Sequence, residues 1–256
     1  MSLMSIRAET LRGVRTLEIH RPEKKNALTF AMYDSLTDQL NAAGADRSIR
    51  AVLITGQPGV FTSGNDLQDF MEHPPSTDDS SVVRFMRALL ACEKPVIAAV
   101  TGTAVGIGVT MLLHCDLVYV SEDARLALPF VTLALVPEFA VSLLLPRLIG
   151  HVQAAEKLLL GEPFTGAEAV AMGIANAALP GADVLAHARR VAERFNTLPP
   201  DAVREAKRLM RAPMKENVTH AIESENAAFY QRLRSPEAKE AFDAFFQKRA
   251  PDFSKF

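Results

Sequence analysis

Along the first 150 residues, short apolar runs alternate with segments of helical spacing. Thr16-Leu17-Glu18-Ile19-His20 alternates with period two, as a half-buried strand does. Met32, Leu36, Leu40 and Ala43 recur every three to four positions and predict an amphipathic helix. Ala51–Thr55 and Pro95–Val100 are continuous apolar runs, and Leu117–Val120 adds a third; such runs suit strands covered on both faces. The spacing predicts a layered α/β core. After Gly150 the period becomes helical, with helices expected over 151–160, 166–172, 182–196, 200–211, 216–233 and 236–249, and with Thr165 and Asp201 as capping residues. The stretch His73–Ser80 reads as a loop insertion.

Pro95 to Cys115 is 21 residues without a formal charge, long enough to cross a bilayer. Its strand-like opening and the punctuation by Gly102, Gly106 and Gly108 fit a buried strand, turn and helix instead. No signal peptide is expected, and Met1-Ser2-Leu3 before Met4 is set aside as an appended leader. Lys+Arg number 28 against 30 Asp+Glu, a formal charge of -2, which leaves no basic excess for nucleic acid. Two cysteines and no paired metal-ligand spacing point to a reducing, cytoplasmic setting and no structural metal.

Two turns have chemical potential. Phe61-Thr62-Ser63-Gly64-Asn65-Asp66-Leu67 and Gly102-Thr103-Ala104-Val105-Gly106-Ile107-Gly108 each lead from a strand toward a helix, where backbone N–H groups are free to hold an oxyanion. Either is equally an ordinary turn, with Asn65 or Asp66 capping a helix. The second is neither a Walker loop nor a dinucleotide fingerprint. Two such turns in one domain permit a hole built from one N–H of each. Between Arg125 and Arg147, Glu138 is the only charged residue among 21. A carboxylate in apolar company has its pKa raised, which suits a general base; Pro137-Glu138 also reads as the first turn of a helix running to Ile149, where acid is favoured. His114-Cys115-Asp116 reads as a helix end beside core residues rather than a nucleophilic pair.

Arg21-Pro22-Glu23-Lys24-Lys25-Asn26-Ala27-Leu28, Ser63-Gly64-Asn65-Asp66-Leu67, Lys94-Pro95-Val96-Ile97-Ala98-Ala99-Val100 with its glycine-rich turn, Cys115-Asp116 and Lys248-Arg249 together resemble the crotonase, or enoyl-CoA hydratase/isomerase, superfamily over nearly the whole chain. The resemblance implies an α/β fold, a spiral of ββα units over residues 4–195, followed by a helical region over 196–256 for assembly as a homotrimer or hexamer. It implies acyl-CoA thioester substrates and no cofactor apart from CoA as part of the substrate. Matched residue by residue, the N–H groups of Asn65 and Ile107 would form the oxyanion hole. Ser63, Gly64, Asp66, Leu67 and Gln68 would lie along the substrate, Lys24 and Lys25 along the pantetheine and phosphates, and Phe229 and Lys248 would close over CoA.

The two glutamates of the hydratases match Thr110 and Phe130, neither of which moves a proton. Glu138 matches instead the single acid of Δ3,Δ2-enoyl-CoA isomerases. The expected activity is therefore transfer of a double bond from C3 to C2, with another crotonase reaction (hydration or thioester hydrolysis) or non-catalytic acyl-CoA binding as alternatives.

Overall fold

The computed structural model describes residues 5–72 and 79–256. The chain opens with a hairpin, β1 (Ile6–Leu11) and β2 (Val14–Ile19), then α1 (Phe30–Ala45). Three strand pairs follow, each separated from the next by helix: β3 (Ala51–Thr55) and β4 (Val60–Thr62), then α2 (Leu67–Glu72) and α3 (Ser81–Ala91); β5 (Val96–Val100) and β6 (Thr103–Val105), then α4 (Ile107–Thr110); β7 (Leu117–Ser121) and β8 (Arg125–Ala127), then α5 (Val141–Ile149) and α6 (His151–Ala155). Two further strands, β9 (Phe164–Thr165) and β10 (Ala177–Leu179), flank α7 (Gly166–Ala171). Helices α8 (Gly181–Arg194), α9 (Pro200–Arg211), α10 (Lys215–Leu233) and α11 (Pro236–Phe246) complete the fold.

In each strand pair the first member joins one sheet and the second another. The larger sheet has the order β1-β2-β3-β5-β7-β10 and the smaller β4-β6-β8-β9. Ladders from β2 through β10 in the larger sheet, and between β4, β6 and β8, are parallel. The chain thus winds as a spiral of ββα turns, as the resemblance implies.

Burial explains the apolar runs. Every residue of β3 and β5 is buried, because alternate side chains face two different cores. Val52, Ile54, Val96 and Ala98 face the main core with α1 and α3. Ala51, Leu53, Ile97 and Ala99 face a second cluster closed by Val184, Ala188 and Ala192 of α8.

The helical expectation for the C-terminal third needs three corrections. Strands β9 and β10 interrupt it, each only two or three residues long and so without a readable period. The last helix ends at Phe246, short of residue 249, where Lys248 takes a left-handed φ of 55°. Thr165 caps α7 in a reciprocal capping box with Glu168, but Asp201 lies inside the first turn of α9 and pairs with Arg204; Pro199 holds the cap position. The expected loop at 73–80 lies outside the described residues except for its last two, of which Ser80 caps α3. Pro95–Cys115 divides into β5, β6, α4 and a 3-10 turn, and no helix among the described residues is long and apolar enough to cross a membrane.

Candidate active site

Strands β4 and β6 are parallel neighbours, so the turns that leave their C-terminal ends lie side by side. The contact is close. A β-carbon at Gly64, where φ is +93°, would lie 3.0 Å from the Val105 carbonyl oxygen, and one at Gly108 would lie 2.5 Å from Cγ2 of Thr62. Glycine at 64 permits this approach of two backbones, and glycine at 108 leaves room for the Thr62 methyl.

Segment 21–28 braces the first turn. Asn26 is fully buried; its amide donates to the carbonyls of Ile19, Val60 and Phe61 at 3.0–3.1 Å and its oxygen accepts from the Arg21 N–H at 2.7 Å. Ser63 N–H donates to Lys25 O (3.1 Å), Gly64 N–H to Oγ1 of Thr62 (3.1 Å) and Asp66 N–H to Leu28 O (2.9 Å). Asn65 is the residue passed over: among the described residues its N–H has no protein acceptor. In the second turn Gly106 N–H donates to Ala127 O, while Val109 and Thr110 N–H donate to Gly106 O. Ile107 N–H begins α4 with no acceptor among the described residues. Both donors named from the sequence are therefore free, on adjoining turns.

The turn's other residues divide by task. Asp66, 9% exposed, accepts from Arg21 at 2.5 Å and from the N–H groups of Gln68 and Asp69, so its carboxylate is a clasp and a cap of α2, and its pKa is lowered by these partners against the opposing effect of burial. Gln68 is exposed and bonds Glu72. Lys24 and Lys25 are exposed beside Ser63. Phe229 of α10 is buried with its ring 6.4 Å from that of Phe70 in α2. Lys248 is exposed beyond α11.

Glu138 does not begin a helix. Phe139 and Ala140 both have left-handed φ values, 62° and 58°, so α5 starts only at Val141 and the sequence expectation of a helix from Pro137 is corrected. The acid at the N-terminus of α5 is Glu225 of α10, which accepts from Ala140 N–H (2.5 Å) and Ser142 N–H (2.9 Å) and from the Ser142 hydroxyl. This frees Glu138 from capping. Phe139 is fully buried, stacked on His114 at 3.8 Å, and its carbonyl is 2.7 Å from Nε2 of His114. Burial lowers the His114 pKa to about 4, so its ring is neutral and donates to that carbonyl. His114 is thus a prop of the loop, as the sequence reading placed it among structural residues.

The Glu138 carboxylate is 3% exposed. Burial, and next the charge of Glu225, raise its pKa to about 8, opposed by a hydrogen bond with the Asn65 side chain. The Asn65 amide oxygen accepts in turn from the Tyr33 hydroxyl. One residue therefore connects the two halves of the site, with its free N–H on the first turn and its side chain on Glu138. Oε1 of Glu138 has no partner, an arrangement that costs free energy unless a ligand supplies one. Thr110 and Phe130 flank the second turn: Thr110 is buried in α4 with an unpartnered hydroxyl, and the Phe130 ring lies 3.9 Å from where a β-carbon of Gly106 would be. Among the described residues no group of three or more metal-ligating acids, histidines or cysteines exists.

The family model for enoyl-CoA hydratase/isomerase matches residues 9–255. The chain belongs to that family. It is 30% identical over 245 residues to a probable enoyl-CoA hydratase of Bacillus subtilis, covering 94% of this chain and 95% of that one. It is 33% identical to human enoyl-CoA delta isomerase 2, over 93% of this chain and 62% of the isomerase. Among solved structures, OdaA of Pseudomonas aeruginosa superposes with a TM-score of 0.93 at 57% identity, covering 95% of this chain and 99% of that one. The enzyme is thus a crotonase whose relatives carry both hydratase and isomerase names.

Sequence reasoning missed Tyr33 and Glu225. Tyr33 falls within the apolar stripe of α1 and reads as core. Glu225 had a signal: Val218, Ile222, Glu225 and Phe229 form one helical stripe in which an acid occupies an apolar position.

Proposed function

We propose that this enzyme converts 3-enoyl-CoA thioesters to 2-enoyl-CoA thioesters. The observation that carries the reading is that Glu138 is, among the described residues, the buried carboxylate with an unpartnered oxygen; the resemblance, which matches the hydratase acids to Thr110 and Phe130, supports it. Hydration needs one group to activate water and another to protonate carbon. Isomerisation needs one base, because the proton removed is the proton returned.

In the proposed reaction the thioester carbonyl accepts hydrogen bonds from the N–H groups of Asn65 and Ile107. Glu138 takes a proton from C2; the electron pair moves into a dienolate whose oxygen is held by the two donors, which act most strongly as charge develops. The protonated Glu138 then delivers the proton to C4, and the C2–C3 double bond forms. A base with a pKa near 8 is better matched to a weak carbon acid at neutral pH than an ordinary carboxylate. Lys24, Lys25 and Lys248 supply cationic contacts for the CoA phosphates.

The reading includes assembly as a homotrimer or hexamer, supported by exposed apolar residues on the C-terminal helices, Met210 (72% exposed), Phe245 (57%) and Phe246 (48%). The test of function is to incubate the protein separately with 3-hexenoyl-CoA and crotonyl-CoA while following absorbance of the conjugated thioester. Rapid appearance of conjugated product from the first and little loss from the second is expected; the reverse pattern would establish hydration. Neither change, with no exchange of C2 protons into deuterated water, would leave a binding protein.

A further inference from the structure

Glu225 has a carboxylate in a place where solvent does not explain it. It is 7% exposed on α10, a helix of the C-terminal region, and all of its observed bonds go to the loop that carries Glu138: Ala140 N–H, Ser142 N–H and the Ser142 hydroxyl. The loop needs such a restraint, since Phe139 and Ala140 both adopt left-handed φ that side-chain-bearing residues rarely hold. On the other side, Phe139 is fixed by His114 and packs edge-on to Phe85 at 6.4 Å. We propose that Glu225 is a positioning residue for the reaction: it clamps the Phe139–Ser142 turn so that the Glu138 carboxylate stays aimed into the site. The same hydrogen bonds set a second negative charge beside the loop that carries Glu138, the electrostatic half of its effect. This rests on Glu138 being the base.

The groups that face Glu138 are Tyr33 from α1, Asn65 from the first turn and Glu225 from α10; His114 touches the neighbouring Phe139 and is neutral. Tyr33 is also neutral, since burial and the charge of Glu138 raise its pKa well above the usual phenol value. Glu225 is therefore the formal charge acting on Glu138 among these. Burial raises the pKa of Glu225 too, but three donors oppose this and are those an ionised carboxylate needs.

The test separates charge from position. The Glu138 carboxyl is titrated by carbon NMR in glutamate-labelled protein, its signal assigned by loss in Glu138→Gln, and isomerisation of 3-hexenoyl-CoA is measured against pH. Glu225→Gln, with the same shape, should move the Glu138 pKa downward and lower kcat about 10- to 100-fold with KM nearly unchanged, the scale of a small misplacement of a reacting group. Glu225→Asp keeps the charge but falls one methylene short of the turn; it should lose kcat while the pKa stays raised. Ile222→Val, on the same buried face of α10, should lower Tm without moving either reading. An unchanged pKa in folded Glu225→Gln overturns the electrostatic half, and unchanged kcat in Glu225→Asp overturns the clamp. If the wild-type protein did not isomerise at all, the function reading would fail, while the titration would still decide whether Glu225 governs Glu138. Should Glu225→Gln not fold, Glu225→Asp decides the clamp, and Glu225→Met, of similar length and without charge, decides the electrostatic half by the same titration.

Discussion

The proposed oxyanion hole and the proposed base are built by opposite means. The hole consists of two backbone N–H groups on turns that parallel strands place side by side, and what it demands of the sequence is glycine, where any side chain would push the turns apart. The base is a single side chain on a turn with left-handed backbone, held by a carboxylate 87 residues further along the chain (225 minus 138) and by a stacked histidine. A hole of this kind is robust to side-chain change and fragile to backbone displacement. The proposed base is the reverse: it depends on one side chain, whose electrostatics are set by neighbours on other elements. Asn65 belongs to both halves, by backbone to one and by side chain to the other.

The sharpest break in the comparison is Glu138→Gln. The amide cannot accept a proton, so isomerisation should fall roughly 10²- to 10⁴-fold with the hole intact and acyl-CoA still bound. Stability should move oppositely. Because the folded pKa of about 8 lies above the unfolded value, the stabilisation that Glu138 allows is fully present below the ordinary carboxylate range and is lost as pH rises through about 8. Wild-type stability should decline across that window by up to about 1.4 kcal/mol per pH unit from this group. Glu138→Gln should lack the decline and melt higher than wild type at pH 9; a lower Tm there would mean that the carboxylate is stabilising. The wild-type rate should rise with pH through about 8, as the base ionises.

Gly64→Ala attacks the other half. The added β-carbon, 3.0 Å from the Val105 carbonyl at a φ of +93°, should separate the turns and cost about 10²- to 10³-fold in kcat, the loss typical of one hole donor, while the NMR titration of Glu138 stays near its wild-type value. Ser63→Ala, one residue earlier, removes only a 3.5 Å contact with Lys24 O and should leave the rate within a few-fold. Equal losses from the two would show that the turn acts through side chains.

Asn65→Ala sharpens the comparison where its terms meet. The backbone donor remains, but the hydrogen bond that lowers the Glu138 pKa is gone, so the rise in rate with pH should shift to higher pH. The loss at neutral pH should be about tenfold or somewhat more, as for a hydrogen bond to a charged group. A pure hole defect would lower the rate equally at all pH values. The smallest effect belongs to Lys248→Ala. It should weaken CoA-thioester affinity by at most about fivefold at low salt and less at high salt, because an exposed charge is screened. No change at low salt would remove Lys248 from the CoA path.

Much of the hole was legible. Gly64, Asn65, Gly106 and Ile107 stand in small-residue turns after recognisable strands, and local geometry alone frees N–H groups there. That the two turns adjoin was not legible, because it depends on β4 and β6, strands of three residues with no readable period, in a sheet formed only when the spiral closes. Glu138 stood out as one charge in an apolar stretch, but its sequence left two readings, base or helix cap. Tertiary structure removes the second: the φ angles of Phe139 and Ala140 delay α5, and Glu225 takes the cap. The alternation of apolar runs determined the large parallel sheet, since a strand buried on both faces has to be apolar throughout. The sequence could not determine which carboxylate is free and which is clamped. That depends on the partners within hydrogen-bond reach, and hydrogen bonds between residues 83 and 85 apart exist only once α10 is docked on the core.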